Sequence, residues 1–236
     1  MKKINIIILT YNCLTQIQKC ISLLYQNTNY DFKLFIIENG SNDGTLEYLK
    51  TTQKEKSNLF VNFQKNNLGI IKGRNIGYDF SQKIQKSDLV FFIDADQEVQ
   101  PKWIDTYLKI MEENGLDLIG CEAWKLDSNL YPRKRITKIN ENYSYVGGGG
   151  LMIKTDVFEK LGKFDEDYNF MYFEDPSLCL LAYKKGYKIG WNGNQVIVHN
   201  HHGPLLSKRN RQYFLKNHNT FQKKWNTKDI PFLKTD

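Results

Sequence analysis

Two carboxylates, Asp94 and Asp96, close the apolar run Phe91-Phe92-Ile93, with Ala95 between them. In an extended segment, side chains two positions apart share a face. Both carboxylates would then converge on one cation while Ala95 turns away and leaves room at the backbone. Two hard oxygen ligands at the open end of a buried strand suit Mg²⁺ or Mn²⁺, usually shared with a phosphate. Asp is also a common turn residue, so the pair alone leaves a plain polar turn open. A second acidic pair, Glu174-Asp175, starts a helical stretch among Tyr168, Phe170, Tyr172 and Phe173. Helix capping accounts for one acid there. A carboxylate partly removed from water has a raised pKa, which suits a general base. Histidines cluster at His199-Asn200-His201-His202. His199 and His201 would share a face and offer imidazole to an ion held by Asp94 and Asp96.

Several polar loops would surround this chemistry. Thr10-Tyr11-Asn12 follows an apolar run and is either a turn with a helix cap or a nucleobase platform, with the Tyr11 ring against the base and Asn12 reading its edge. In Glu38-Asn39-Gly40-Ser41-Asn42-Asp43-Gly44, a strand-end carboxylate suits ribose hydroxyls or a base N–H, although the composition is also that of a structural turn. Asn66-Asn67-Leu68-Gly69 and Gly73-Arg74-Asn75 bracket a helix start containing Lys72 and Arg74, where amide donors and two cations suit a pyrophosphate or a base edge; a solvated helix face fits them equally. Gly147-Gly148-Gly149-Gly150 has no following Lys-Ser/Thr pair and allows either close backbone approach to a ligand or strand, or a hinge.

The elements that position these residues alternate. Apolar runs at Ile4–Leu9, Phe32–Ile37, Leu59–Phe63 and Asp88–Ile93 read as strands. Between them, Leu14, Ile17, Ile21 and Leu24 keep a helical spacing, and helices are expected from Thr45 and from Lys72 to about Gln82. This alternation predicts an α/β fold with a parallel sheet covered on both faces, and ligands beyond the carboxyl ends of its strands. The second half predicts a helix from Pro101 to about Glu113, one strand over Leu118–Trp124, a basic loop at Arg133-Lys134-Arg135 with Lys138, and a helix from about Thr155 to Leu161. Short strands follow at Tyr187–Trp191 and Val196–His199, then a basic aromatic helix from about Lys208 to Trp225.

Composition bounds the reading. The 236 residues, 41% hydrophobic and 14% aromatic, are enough for a core, so a disordered tail is excluded. A net charge of +7 favours anionic partners, but the lysines are scattered, which argues against nucleic acid. Cys13, Cys20, Cys121 and Cys179 form no CxxC pair, pointing to free thiols in a reducing, cytoplasmic setting. Ile4–Leu9 is too short for a signal-peptide core, and no segment approaches a bilayer span, leaving peripheral membrane contact at most.

Taken in order, these features resemble the family 2 glycosyltransferases over nearly the whole chain. Ile4–Asn12 is similar to the family's first strand and its Thr/Ser-Tyr-Asn ending. Glu38-Asn39-Gly40-Ser41-Asn42-Asp43-Gly44-Thr45 resembles Asp-Asn-x-Ser-x-Asp-Gly-Thr, with Glu replacing the first Asp. Asn66–Gly69 with Arg74-Asn75-Ile76-Gly77 is similar to its nucleotide-side loop, and Asp94-Ala95-Asp96 to its Asp-x-Asp motif. Gly148 to Lys154, then Gly162-Lys163-Phe164-Asp165-Glu166, resembles the Gly-Gly-Phe-Asp-Glu segment. Glu174-Asp175-Pro176-Ser177 is similar to Glu-Asp-x-Asp without its last Asp, and His199 to a following His.

The resemblance implies a GT-A fold, a Rossmann-like, mostly parallel sheet flanked by helices, in one domain over 1–236. Its parts would be a nucleotide-binding half (1–100), an acceptor and catalytic half (101–207) and a helical tail (208–236). It implies an inverting hexosyltransferase-type enzyme that uses a nucleotide sugar, most often a UDP-sugar, with Mn²⁺ or Mg²⁺ as cofactor. Asp94 and Asp96, with His199 or His201, would hold the metal, and Asp175, beside Glu174, would be the base. Donor contacts would come from Thr10, Tyr11, Asn12, Glu38, Asp43, Asn67, Gly69, Lys72, Arg74, Asp94, Ala95, Gly148 and Gly149. The acceptor would be a glycan, a lipid-linked group or a protein, met by loops between about Cys121 and Tyr145 and by the tail; the basic loop and tail would order over the donor. A sugar-nucleotide nucleotidyltransferase and a non-enzymatic basic binding module are the alternatives, the first opposed by the lack of a Gly-rich, Arg/Lys-bearing loop after the first strand.

Overall fold

The computed structural model describes residues 1–138, 141–193, 196–200 and 208–230. Strands β1 (Ile4–Thr10), β2 (Phe32–Glu38), β3 (Leu59–Phe63) and β4 (Leu89–Asp94) alternate with helices α1 (Leu14–Asn27), α2 (Thr45–Glu55) and α3 (Gly69–Ile84). β1 pairs in parallel with both β2 and β4, and β2 with β3. Their near-continuous apolar sequences have a direct cause. Ile6, Ile8, Leu34, Ile36, Phe91 and Ile93 pack into one core layer, and Ile7, Phe35, Val90 and Phe92 into the other. Both faces are covered, so neither can be polar.

The second half adds β5 (Gln97–Val99), α4 (Trp103–Asn114), β6 (Leu118–Gly120), β7 (Ala123–Leu126), β8 (Pro132–Arg135), β9 (Tyr145–Val146) and β10 (Leu151–Lys154). These are followed by α5 (Thr155–Lys160), α6 (Glu174–Lys184), β11 (Ile189–Trp191), β12 (Ile197–His199) and α7 (Lys208–Lys224). The main sheet is seven-stranded, ordered β11-β6-β10-β4-β1-β2-β3, with β10 antiparallel to β4 and β6. The expected α/β architecture, a mostly parallel sheet flanked by helices, is therefore present. β5 pairs with β12, and β7 with both β8 and β9, in two small antiparallel sheets.

Three expectations are corrected. The single strand expected over Leu118–Trp124 is two, in different sheets, because the chain turns at Cys121-Glu122 and carries Glu122 inward to pair with Arg135 at 2.8 Å. The basic stretch expected as a loop is largely strand β8. Its charges do not oppose that pairing, since Arg133, Lys134 and Arg135 each meet an acid: Asp127, Glu141 and Glu122. Finally, Asp94 and Asp96 do not share a pleated face, because β4 ends at Asp94 and Ala95-Asp96 form a turn into β5. Among the described residues, no helix is long and apolar enough to cross a membrane.

Candidate active site

The loops after β1, β2 and β3 form a rim knitted together by asparagine and serine side chains and by two carboxylates that accept from backbone amides. Asn12 has a left-handed backbone (φ 47°), and its Oδ1 accepts from the Asn42 N–H at 2.8 Å. The Asn12 N–H donates to Ser41 Oγ at 3.0 Å. Buried Asn39 donates to Asn67 Oδ1 at 2.9 Å and accepts from the Leu68 N–H at 3.0 Å. The Glu38 carboxylate is buried and accepts from the Ser41 and Gly40 amides at 2.6 and 3.3 Å. Asp43 accepts from the Leu14 and Thr45 amides at 2.9 and 3.1 Å, closing the first turns of α1 and α2. Both acids thus shape the rim from below.

The rim opens on a cleft of about 420 Å³, a size suited to a small ligand. Tyr11, Asn12, Asn67 and Gly69 line one side, Asp94, Ala95, Asp96 and His199 another, and Phe170 and Met171 a third. Hollows of about 580 and 640 Å³ lie elsewhere, but neither is lined by the strand-end carboxylates.

Asp94, Asp96 and His199 meet because the turn at Ala95-Asp96 launches β5, which pairs with β12 so that Gln97 lies opposite His199. One ligand atom from each of Asp94, Asp96 and His199 falls within 4.8 Å of the others. His199 Nε2 is 3.2 Å from Asp96 Oδ1 and 3.9 Å from Asp94 Oδ2. Buried Gln97 braces the group: it accepts from the Asp94 N–H at 2.9 Å and places its amide nitrogen 3.4 Å from His199 Nδ1. Burial disfavours a charged His199, but the bond to Asp96 and the charges of Asp94, Asp96 and Glu122 outweigh it and raise its pKa.

Arg74 connects this cluster to the second acidic pair. Its side chain is 5% exposed and reaches Asp94 Oδ1 at 2.6 Å and Glu174 Oε1 at 3.5 Å. The glycine run makes room for it. A Cβ at Gly148 would lie 2.3 Å from Arg74 Nη1, and one at Gly149 only 2.1 Å from Asp94 Oδ2. Asp175, half-buried, accepts from the Gly148 N–H at 3.1 Å. Burial pushes both acids of the pair upward. For Glu174 the Asp175 charge adds to this and Arg74 opposes it; for Asp175, Arg74 and the Gly148 amide oppose it.

The sequence model described as "Glycosyl transferase family 2" matches residues 5–177. The chain belongs to glycosyl transferase family 2. It is 24% identical over 176 residues to the glycosyltransferase AglE of Haloferax volcanii, covering 68% of this chain and 55% of that one. An uncharacterised glycosyltransferase of Haemophilus influenzae is 26% identical over 247 residues, covering 90% and 74%. The chain thus spans about half to three quarters of the length of these relatives. Among solved structures, GalNAc-T7 with UDP, GalNAc and Mn²⁺ superposes with a TM-score of 0.78 at 16% identity, over 95% of this chain and 48% of that one. TarS 1-349 of S. aureus in complex with UDP-GlcNAc gives 0.63 at 18% identity, over 86% and 60%. These likenesses agree with the GT-A fold, so this family 2 glycosyltransferase has the architecture its motifs implied.

Of the residues singled out in the sequence of this glycosyltransferase, Tyr11, Asn12, Asn67, Gly69, Asp94, Ala95, Asp96 and His199 come together on the cleft. Arg74, Gly148, Glu174 and Asp175 form the adjoining charged group. Thr10 is buried below the rim, its Oγ1 3.0 Å from Cys13 Sγ. Lys72 is exposed and outside the cleft lining. His201 lies outside the described residues. Sequence reasoning passed over Asn39, Gln97, Glu122 and Asn217. Asn39 lies inside the Glu38–Thr45 motif and Gln97 directly follows Asp96, so position alone marks both; nothing local marks Glu122 or Asn217.

Proposed function

We propose that this glycosyltransferase moves a sugar from a nucleoside-diphosphate donor, a UDP-sugar in the simplest case, to an acceptor hydroxyl with inversion at the anomeric carbon. The observation that carries this reading is one cleft lined by the strand-end rim and an Asp94–Asp96–His199 cluster, with Arg74 linking Asp94 to the adjoining Glu174-Asp175 pair. The solved neighbours with UDP, GalNAc and Mn²⁺, and with UDP-GlcNAc, support the donor class.

The donor set fits a divalent ion. Two carboxylates and an imidazole suit Mn²⁺, with Mg²⁺ the harder alternative. Asp94 keeps Oδ1 on Arg74 and Oδ2 toward His199, so Arg74 orients one ligand of the group. When bound, such an ion would neutralise charge on the departing diphosphate. The protein's own residues account for the rest. The rim binds base and ribose, with the Tyr11 ring, 44% exposed, free to lie against a base. Asp175 takes the proton of the acceptor hydroxyl as its oxygen bonds to the anomeric carbon and the bond to the diphosphate oxygen breaks. A single displacement inverts that carbon. The raised pKa of Asp175 makes it a stronger base than a free carboxylate, while Glu174 lies against Arg74 at 3.5 Å. The acceptor would approach from the side of β7, β8 and α7.

The direct test is incubation with a panel of nucleotide sugars and Mn²⁺, without acceptor, following release of the nucleoside diphosphate. Slow hydrolysis of one donor is expected, abolished by EDTA and restored by Mn²⁺. Full activity in EDTA would remove the metal role of Asp94 and Asp96, and conversion of the donor to nucleoside triphosphate and sugar 1-phosphate on addition of pyrophosphate would replace glycosyl transfer with nucleotidyl transfer.

A further inference from the structure

Helix α7 begins beyond the residues the family model matches, yet it holds one wall of the cleft. Asn217, on α7, is fully buried. Its Oδ1 accepts from the Asn169 N–H at 2.9 Å. Its Nδ2 donates to the carbonyls of Asn169, Met171 and Tyr172 at 2.9, 2.7 and 3.3 Å. Among the described residues, the clamped segment concentrates left-handed backbone at non-glycine positions: Phe170, Tyr172 and Phe173 have φ of 70°, 77° and 70°. Side-chain-bearing residues persist in that region only where their surroundings over-determine it. Asn is the residue that can do so here, since Asp lacks the donors and Gln is one methylene too long for the same reach.

The clamped segment touches both halves of the site. Phe170 and Met171 line the cleft, and the Phe170 carbonyl accepts from the Ile70 N–H at 2.7 Å, in the first turn of α3. The approach is close: a Cβ at Gly69 would lie 2.6 Å from that oxygen. Phe173 then leads directly into Glu174-Asp175. Tyr213, also on α7, stacks on Phe170 with centroids 4.8 Å apart and planes at 11°.

We infer that Asn217 is a positioning residue for donor binding, acting through the Asn169–Phe173 turn and the Phe170–Ile70 bond on the nucleotide side of the cleft; this rests on the donor reading above. It never touches the donor itself. The test compares wild type, Asn217→Ala and Asn217→Asp by amide hydrogen exchange at Asn169 and Ile70 and by calorimetric titration with UDP and Mn²⁺. A Leu49→Ala variant serves as control, since Leu49 is a buried core residue of α2 outside the cleft lining. Both Asn217 variants should speed exchange at Ile70 as well as Asn169 and weaken UDP roughly tenfold or more. Leu49→Ala should leave the Ile70 pattern and the UDP affinity of the folded protein unchanged. Wild-type exchange at Ile70 and UDP affinity retained in both Asn217 variants would overturn the inference, as would equal losses in Leu49→Ala. Should both variants fail to fold, exchange of the wild type in low urea decides. Asn169 and Ile70 should open together with one free energy and one urea dependence, and separate openings would overturn the coupling. Wild-type protein that binds no UDP would refute the donor reading instead, leaving the exchange comparison to decide the clamp.

Discussion

The two sides of the cleft are built on opposite principles. Most cross-links of the rim are between uncharged groups, Asn12 to Asn42, Ser41 to Asn12, Asn39 to Asn67 and Leu68, with the Glu38 and Asp43 carboxylates holding backbone amides as well. The charged side is held by ion pairs about buried groups, with Arg74 between Asp94 and Glu174, and Glu122 between Arg135 and His199. Neutral bonds of this kind each stabilise by about 1 kcal/mol, depend little on pH and salt, and fix shape. Buried ions stabilise little as a whole but cost heavily when one partner is removed. Shape recognition of a donor needs the first arrangement. Proton transfer and cation binding draw on the second, because both use charged side chains held close together.

Removing Arg74 should break the comparison most forcefully. Arg74→Met leaves the buried Glu174 carboxylate without its cation and Asp94, at the edge of the cleft, without the group that orients it. A loss of about 3–5 kcal/mol is expected by urea denaturation. Asn39→Ala, its counterpart on the rim, strips neutral bonds only and should cost about 1–3 kcal/mol. Equal losses would mean that the charged side is no more interdependent than the rim. Next in size is Asp175→Asn, which preserves shape but removes the base. Transfer should fall roughly 100-fold or more, with UDP binding in Mn²⁺ unchanged by calorimetry. Near-normal turnover would take the base role away from Asp175.

The same contrast explains what the sequence made legible. The parallel sheet was readable because burial on both faces leaves β1, β2 and β4 no polar alternation. The rim was readable because its residues follow their strands directly. Glu38 and Asp43 were recognisable as special but not as supports, since a carboxylate bonded to its own loop and one offered to a ribose have the same sequence. Arg74 looked equally like a phosphate ligand or a solvated face; its contact with Glu174 depends on how α3 and α6 pack, a relation with no local signature. The three successive cations of β8 resemble a solvated loop in sequence, because the acids that neutralise them are scattered over Glu122, Asp127 and Glu141. Asn217 is an ordinary polar residue in a basic helix until the turn it clamps is seen.

The smallest expected effect follows from the pKa directions. Glu174 and Asp175 are raised in the fold, and so is His199. A group with a raised folded pKa binds its proton more tightly in the fold than in the unfolded chain. Its stabilising contribution is complete below the unfolded pKa and is lost as pH rises through the folded one. For the two carboxyls that loss begins above about pH 4, and for His199 above about pH 6.5, so all three act in the same direction. Metal-free protein should therefore show a urea midpoint that falls between about pH 5 and about pH 8. The slope should persist in Asn39→Ala, which leaves the charged side intact, and flatten in Glu174→Gln. Mn²⁺ should reverse it, because ligands must lose their protons to bind a metal and the bound ion stabilises only the fold. A midpoint that stays flat over this range in the absence of metal would mean that the acids are ordinary solvated carboxylates, and one that rises would mean that the fold holds them ionised; either result would remove the distinction between the two sides of the cleft.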